Sequence, residues 1–235
     1  MKQSKTLMVV GAHHDDVELN AGTIVRHVAA GWRVVALVAT NGRWTPQGVS
    51  ADNIEIRNRE SLAAARLLGM ETVFLGFDEG HFDDTPAARD AMTAAIRRYA
   101  PSVLVTHPPL DYHADHMAVS RCTADAWQRC TNPTFDCGEP AMKELPGFYY
   151  CDAWFEHFEP DCYVDVGEHI QVKKDALTCH ASQLGPGGPA PGDMIDMEMA
   201  RARYRGIQAG TEYAEAFRLV SRLGTRRASA LLGEP

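Results

Sequence analysis

The chain has 235 residues, 45% hydrophobic and 23% charged, enough apolar material to bury a real core in one soluble domain. A formal charge of -8 argues against nucleic acid or an anionic membrane surface as the main partner, since both reward clustered lysine and arginine. The short basic stretch at Arg222, Arg226 and Arg227 is flanked by apolar residues and reads as a solvated face.

Six cysteines (Cys122, Cys130, Cys137, Cys151, Cys162 and Cys179) form no CxxC pair and no dense framework, so they read as free thiols in a reducing compartment. The apolar run after residues 1–5 is too short for a signal peptide or a membrane span, and the expected location is the cytoplasm.

Strand and helix signals alternate through the first half. Residues 7–10 are a short apolar run, and 17–30 repeat apolar residues at helical spacing through Val17, Ala21, Ile24, Val25 and Val28. Residues 33–40 are rich in β-branched types and read as a buried strand. Residues 53–68 read as a helix with Gly69 as its stop. A strand at 72–75, a helix at 86–99, a strand at 103–106 and a helix at 113–129 follow. Beyond a Pro/Gly-marked loop at 131–146, residues 148–158 and 162–166 read as strands and 168–180 as a helix. The run 185–192 reads as a surface loop. Met194, Met197 and Met199 stand at near-helical spacing, which points to packing, not to a cofactor box. This order predicts one α/β, Rossmann-like domain over residues 1–235, with a mostly parallel sheet flanked by helices and antiparallel strands added in the C-terminal half.

Two clusters stand where strands should surface: His13, His14, Asp15 and Asp16 after the first strand, and His113, Asp115 and His116 after residues 103–106. Each has an ordinary explanation. An aspartate caps a helix well, and His113, Asp115 and His116 could be first-turn residues answering the helix dipole. A cap needs one acid, however, and here two acids and two imidazoles are consecutive. Together the clusters supply His, Asp and His as an N/O ligand set that leaves a coordination position open, the pattern of catalytic zinc. A spare carboxylate can act as general base and a remaining histidine can stabilise an oxyanion. Bulky side chains in Gly11-Ala12-His13-His14 replace the glycines a dinucleotide phosphate would need.

The segment Gly11-Ala12-His13-His14-Asp15-Asp16-Val17-Glu18-Leu19 resembles the A-H-x-D-D-x-E signature of the PIG-L/LmbE-like N-deacetylases, and His113-Ala114-Asp115-His116 resembles their H-x-D-H motif. Weaker echoes lie at Arg57-Asn58-Arg59-Glu60, Lys174, His180-Ala181-Ser182-Gln183 and Ala214-Glu215-Ala216-Phe217. The resemblance implies zinc ligands at His13, Asp16 and His116, with iron as the alternative metal in the cell. It makes Asp15 the base that activates the attacking water, a choice over Asp16 that spacing leaves open. His113 would stabilise the oxyanion or protonate the leaving amine, and Asp115 would orient a neighbouring histidine. Loops 40–48 and 76–84 should line the pocket, with Arg57, Asn41 and Arg43 as substrate-binding candidates. His14 stands where proline or alanine is common and reads as a rim residue. His81 reads as part of a solvated acidic loop, and His180 as structural or at the rim.

The implied activity is removal of an N-acetyl group from a small N-acetylglucosamine-type conjugate, with a small molecule as partner and a homo-oligomer left open. The rivals are a metal-dependent amidase of another conjugate, a phosphoesterase lacking its expected H-x-H-x-D-H signature, a sugar-binding protein without catalysis, and an oxidoreductase weakened by the missing glycines.

Overall fold

The computed structural model describes residues 5–154, 156–185 and 187–221. The basic stretch at Arg222, Arg226 and Arg227 lies outside the described residues. Among the described residues nine strands and six α-helices follow one another as β1 (Thr6–Gly11), α1 (Ala21–Ala29), β2 (Arg33–Thr40), β3 (Trp44–Thr45), β4 (Gly48–Val49), α2 (Asp52–Leu68), β5 (Glu71–Phe77), α3 (Pro86–Tyr99), β6 (Val103–Thr106), α4 (Ala114–Arg129), β7 (Gly147–Cys151), β8 (Cys162–Asp165), α5 (Ile170–Thr178), α6 (Met194–Ala209) and β9 (Ala214–Leu219).

Seven strands form one sheet in the order β5-β2-β1-β6-β7-β9-β8, and β3 pairs with β4 in a separate hairpin. Strands β5, β2, β1, β6 and β7 are parallel neighbours, while β9 runs antiparallel to β7 and β8. The alternation of side chains along a strand builds the two faces. Leu7, Val9, Val34, Ala36, Val103 and Val105 pack with Ile24, Leu68 and Ala176 on one side. Met8, Val10, Val35, Leu37 and Leu104 pack with Met92, Ile96, Val119 and Trp127 on the other.

Successive strands are added outward from β1 through β2 to β5, and the chain then returns to place β6 on the opposite side of β1. The carboxyl ends of β1 and β6 therefore flank a topological switch point, where open α/β sheets form a crevice. Both clusters emerge there.

Local chemistry sets the element ends. Thr85 caps α3 by accepting from the Ala88 N–H, with proline in the first turn. Gly69 closes α2 in the left-handed conformation. Three expectations are corrected. The expected strand over 148–158 stops at Cys151, and residues 167–169 form a 3-10 turn ahead of α5. Residues 17–20 are likewise 3-10 before α1 begins. Among the described residues no helix is long and apolar enough to cross a membrane.

Candidate active site

Gly11 ends β1 where the chain turns back sharply: a Cβ there would lie 2.8 Å from the Asp16 Cβ. That tight turn brings the Asp16 carboxylate under its own loop, where Oδ2 accepts from the His13 backbone N–H at 2.6 Å. Asp16 precedes the 3-10 segment but makes no side-chain cap, so helix capping does not account for it.

From the neighbouring strand end, α4 begins with His113 as its cap residue, the ring Nδ1 accepting from the Asp115 N–H at 3.2 Å. A neutral His113 then carries its proton on Nε2. His116 lies in the first turn and reaches back to the first cluster. His13 Nδ1 is 3.1 Å from His116 Nε2 and 3.4 Å from Asp16 Oδ2, and His116 Nε2 is 3.3 Å from Asp16 Oδ1. Donors around a tetrahedral zinc at its usual bond lengths stand roughly 3.3–3.6 Å apart. The three side chains fit a divalent ion by type, two of their separations falling in that range and the His13–His116 one, at 3.1 Å, just under it.

Two overlapping groups offer ligand atoms within 4.8 Å of one another: His13, His113 and His116, and Asp16, His107 and His116. They share His116, and between them they contain both His13 and Asp16. The electrostatics agree. Asp16 is held well below the carboxylate range because His116, His107 and His13 outweigh the cost of burial. Burial works against protonation of His13 and His116, yet Asp16 raises them to about 9 and about 10. A buried carboxylate that draws protons onto its imidazoles is a site with an affinity for positive charge.

Carboxylates behind the imidazoles fix their orientation. Asp111 Oδ1 is 3.0 Å from His116 Nδ1, and Asp115 Oδ2 is 3.3 Å from His13 Nε2 while accepting from the Gly80 N–H. Asp15 points elsewhere, into a cavity of about 280 Å³, with Oδ1 2.9 Å from the Arg57 Nη2. Burial would raise its pKa, but Arg57 prevails and holds Asp15 ionised.

The cavity is lined by His13, Asp15, Asp16, His113 and His116 on the sheet side, and by Trp44, Tyr112, Trp154, Gln183 and Met194 further out. Arg57 also lines it, but the residue is only 1% exposed and its guanidinium is held by Asp15, Glu79 and the Trp44 carbonyl. It therefore stands behind Asp15 rather than reaching into the cavity. Asn41 and Arg43 lie off the lining and both turn to Asp78.

One histidine differs from expectation. His14 is fully buried, not at the rim: its ring stacks on Phe74 and its Nε2 lies 2.8 Å from the side-chain Oδ1 of Asn58. Burial and Arg57 depress it to about 4, so it is neutral. His180 is fully buried and faces Glu18 at 3.4 Å. His81 is solvated, its side chain 71% exposed.

Sequence patterns pass over several residues here. His107 follows β6 alone, without a repeating partner, yet stacks on His116 at 4.0 Å and lies 3.1 Å from Asp16 Oδ2. Its position directly after a strand was its one available signal. Glu79 and Trp154 sit in loops with no local pattern.

Residues 8–127 match the PIG-L family, described as GlcNAc-PI de-N-acetylase. The chain belongs to the PIG-L family. A diacetylchitobiose deacetylase of Thermococcus kodakarensis is 27% identical over 234 residues, covering 92% of this chain and 83% of that protein. A 1D-myo-inositol 2-acetamido-2-deoxy-alpha-D-glucopyranoside deacetylase of Mycobacteroides abscessus is 29% identical over 231 residues, covering 77% and 82%. The PIG-L fold is not confined to deacetylases. The structure of GalB, a 4-carboxy-2-hydroxymuconate hydratase of Pseudomonas putida, superposes with a TM-score of 0.80 at 21% identity over 96% of this chain and all of that one.

Proposed function

We propose that the protein is a metal-dependent deacetylase that hydrolyses the N-acetyl amide of a small N-acetylglucosamine-type conjugate. The observation that carries this reading is the convergence of His13 Nδ1, Asp16 and His116 Nε2 within 3.1–3.4 Å of one another beside an ionised Asp15. Sugar N-deacetylation by the two relatives supports the substrate class.

His13, Asp16 and His116 would hold the ion, zinc in the first instance. When bound, a divalent ion of this kind lowers the pKa of water and polarises an amide carbonyl. Asp15 lines the cavity and takes a proton from the attacking water, while Arg57 fixes its carboxylate in place. The new C–O bond converts the carbonyl to a tetrahedral centre. His113, with its ring proton on the nitrogen away from the Asp115 N–H, donates a hydrogen bond to the oxyanion, and Asp15 passes the proton it took from water to the departing amine as the C–N bond breaks. Acetate and the free amino sugar result. Asp115 and Asp111 orient His13 and His116 throughout.

The test is acetate release from N-acetylglucosamine glycosides by zinc-loaded and chelator-treated protein. Equal release of acetate and amine that disappears with the metal is expected. Absence of acetate under every metal loading would overturn the reading, and addition of water to an unsaturated acid would favour hydratase chemistry on the same fold.

A further inference from the structure

A second hollow, of about 390 Å³, adjoins the cavity that holds the histidine cluster. Trp154 lines both, and Met194 of the first and Met197 of the second lie one turn apart on α6. The indole is therefore a partition with a face or edge toward each space. Its Nε1–H donates to Glu198 Oε2 at 3.0 Å, and the buried Glu198 is in turn gripped by Lys173 at 2.7 Å and Arg201 at 2.6 Å. A side chain anchored this way forms a preorganised wall rather than a mobile one.

The lining of the second hollow decides what it can take. Ala153, Met197, Ala200 and Tyr204 supply apolar surface, and Tyr204 is 55% exposed. The guanidiniums present are already engaged. Arg201 holds the Asp152 carbonyl and Glu198, and Arg205 forms a two-point pair with Asp152. With those charges matched, a phosphate or carboxylate finds no unmet partner, whereas an uncharged apolar group finds contact area.

We propose that this hollow is a subsite for an uncharged apolar aglycone on the anomeric carbon of the N-acetylated sugar. The inference rests on the deacetylase reading. The anomeric carbon is adjacent to the carbon bearing the acetamido group, so its substituent leaves the first cavity close to the reacting amide and passes the Trp154 partition. Trp154 lines both spaces, so the hollow lies one side chain beyond the cavity, which commits the occupant to the substrate's own extension.

The experiment compares methyl and phenyl glycosides of N-acetylglucosamine with zinc-loaded protein, by acetate release and by calorimetric binding. Wild type should favour the phenyl glycoside in kcat/KM by about tenfold, the scale of a modest apolar contact in a pocket. Tyr204→Ala removes the exposed ring and Ala200→Trp fills the hollow. Both positions face solvent, and thermal melts confirm folding. Each variant should bring the phenyl-to-methyl ratio close to one. An active enzyme with no phenyl preference, or a preference that survives both substitutions, overturns the subsite. If neither glycoside is deacetylated but the phenyl glycoside binds more tightly in a Tyr204-dependent way, the subsite stands and the deacetylase reading falls. If neither binds nor reacts, both fall.

Discussion

Asp15 and Asp16 are neighbours in sequence with opposite surroundings. Asp16 faces three imidazoles; Asp15 faces a guanidinium and open cavity. Replacing Asp15 by Asn keeps shape and much of the hydrogen bonding but removes basicity. Turnover should fall on the order of 10²-fold or more while bound zinc, measured by elemental analysis, stays near wild type. His116→Ala should lose metal and activity together. A metal-free Asp15→Asn protein would instead make Asp15 a ligand. Asp111 acts one step further back, through His116 Nδ1 at 3.0 Å. Asp111→Asn should weaken zinc binding by about 10–100-fold in a competition titration with a chromophoric chelator. An unchanged affinity would mean that the ring is oriented by packing alone.

The strand–helix alternation of the first half was legible because β1, β2 and β6 are buried along nearly their whole length and α1 and α3 bury apolar residues at helical spacing. The histidine and aspartate clusters were legible because their residue types seldom occur together for packing reasons. What escaped depends on long-range partners. Strand β9 inserts between β7 and β8, a placement that no local pattern announces. Arg57 is buried because its partners Asp15 and Glu79 arrive from other loops. His14, expected at the rim, is enclosed by the loop after β2. In that loop Gly42 has a φ of 75°, and a Cβ there would come within 2.5 Å of the His14 ring. Gly42→Ala should therefore destabilise the fold by about 1–3 kcal/mol in urea unfolding, through backbone strain and through displacement of the ring. A neutral result would show that the loop and ring move apart freely.

At the scale of the whole molecule, a buried ionic network ties the C-terminal elements to the site. Lys173 on α5 donates to the Leu19 carbonyl and pairs with Glu198 of α6 and Glu215 of β9. Glu215 also accepts from the N–H groups of Gly22 and Thr23, which open α1. Burial opposes ionisation of Glu198, but Arg201 and Lys173 outweigh it and its pKa falls below the ordinary 4.5. A depressed folded-state pKa contributes stability that is present above 4.5 and lost as pH falls through the lower folded value. Acid unfolding followed by circular dichroism should show this loss below 4.5, and Glu198→Gln should narrow its deficit relative to wild type over the same range. A deficit constant from neutral to acid pH would mean that Glu198 contributes by packing and not by charge.

The division of labour around the cavity has a bearing on how such enzymes diversify. Residues that would handle the ion and protons come from segments before residue 120, inside the stretch 8–127 that carries the family likeness. The outer wall draws on both sides of that boundary: Trp44 and Tyr112 come from within it, and Trp154, Gln183 and Met194 from beyond it. The reacting groups thus sit on one stretch of chain while the outer wall draws partly on another, the two joined by the Lys173 network and by Ser182 on Glu60. A grafted outer wall could change which sugar conjugate is chosen while leaving the machinery that cuts the amide as it was inherited, provided the graft brings its own partner for the carbonyl of Leu19.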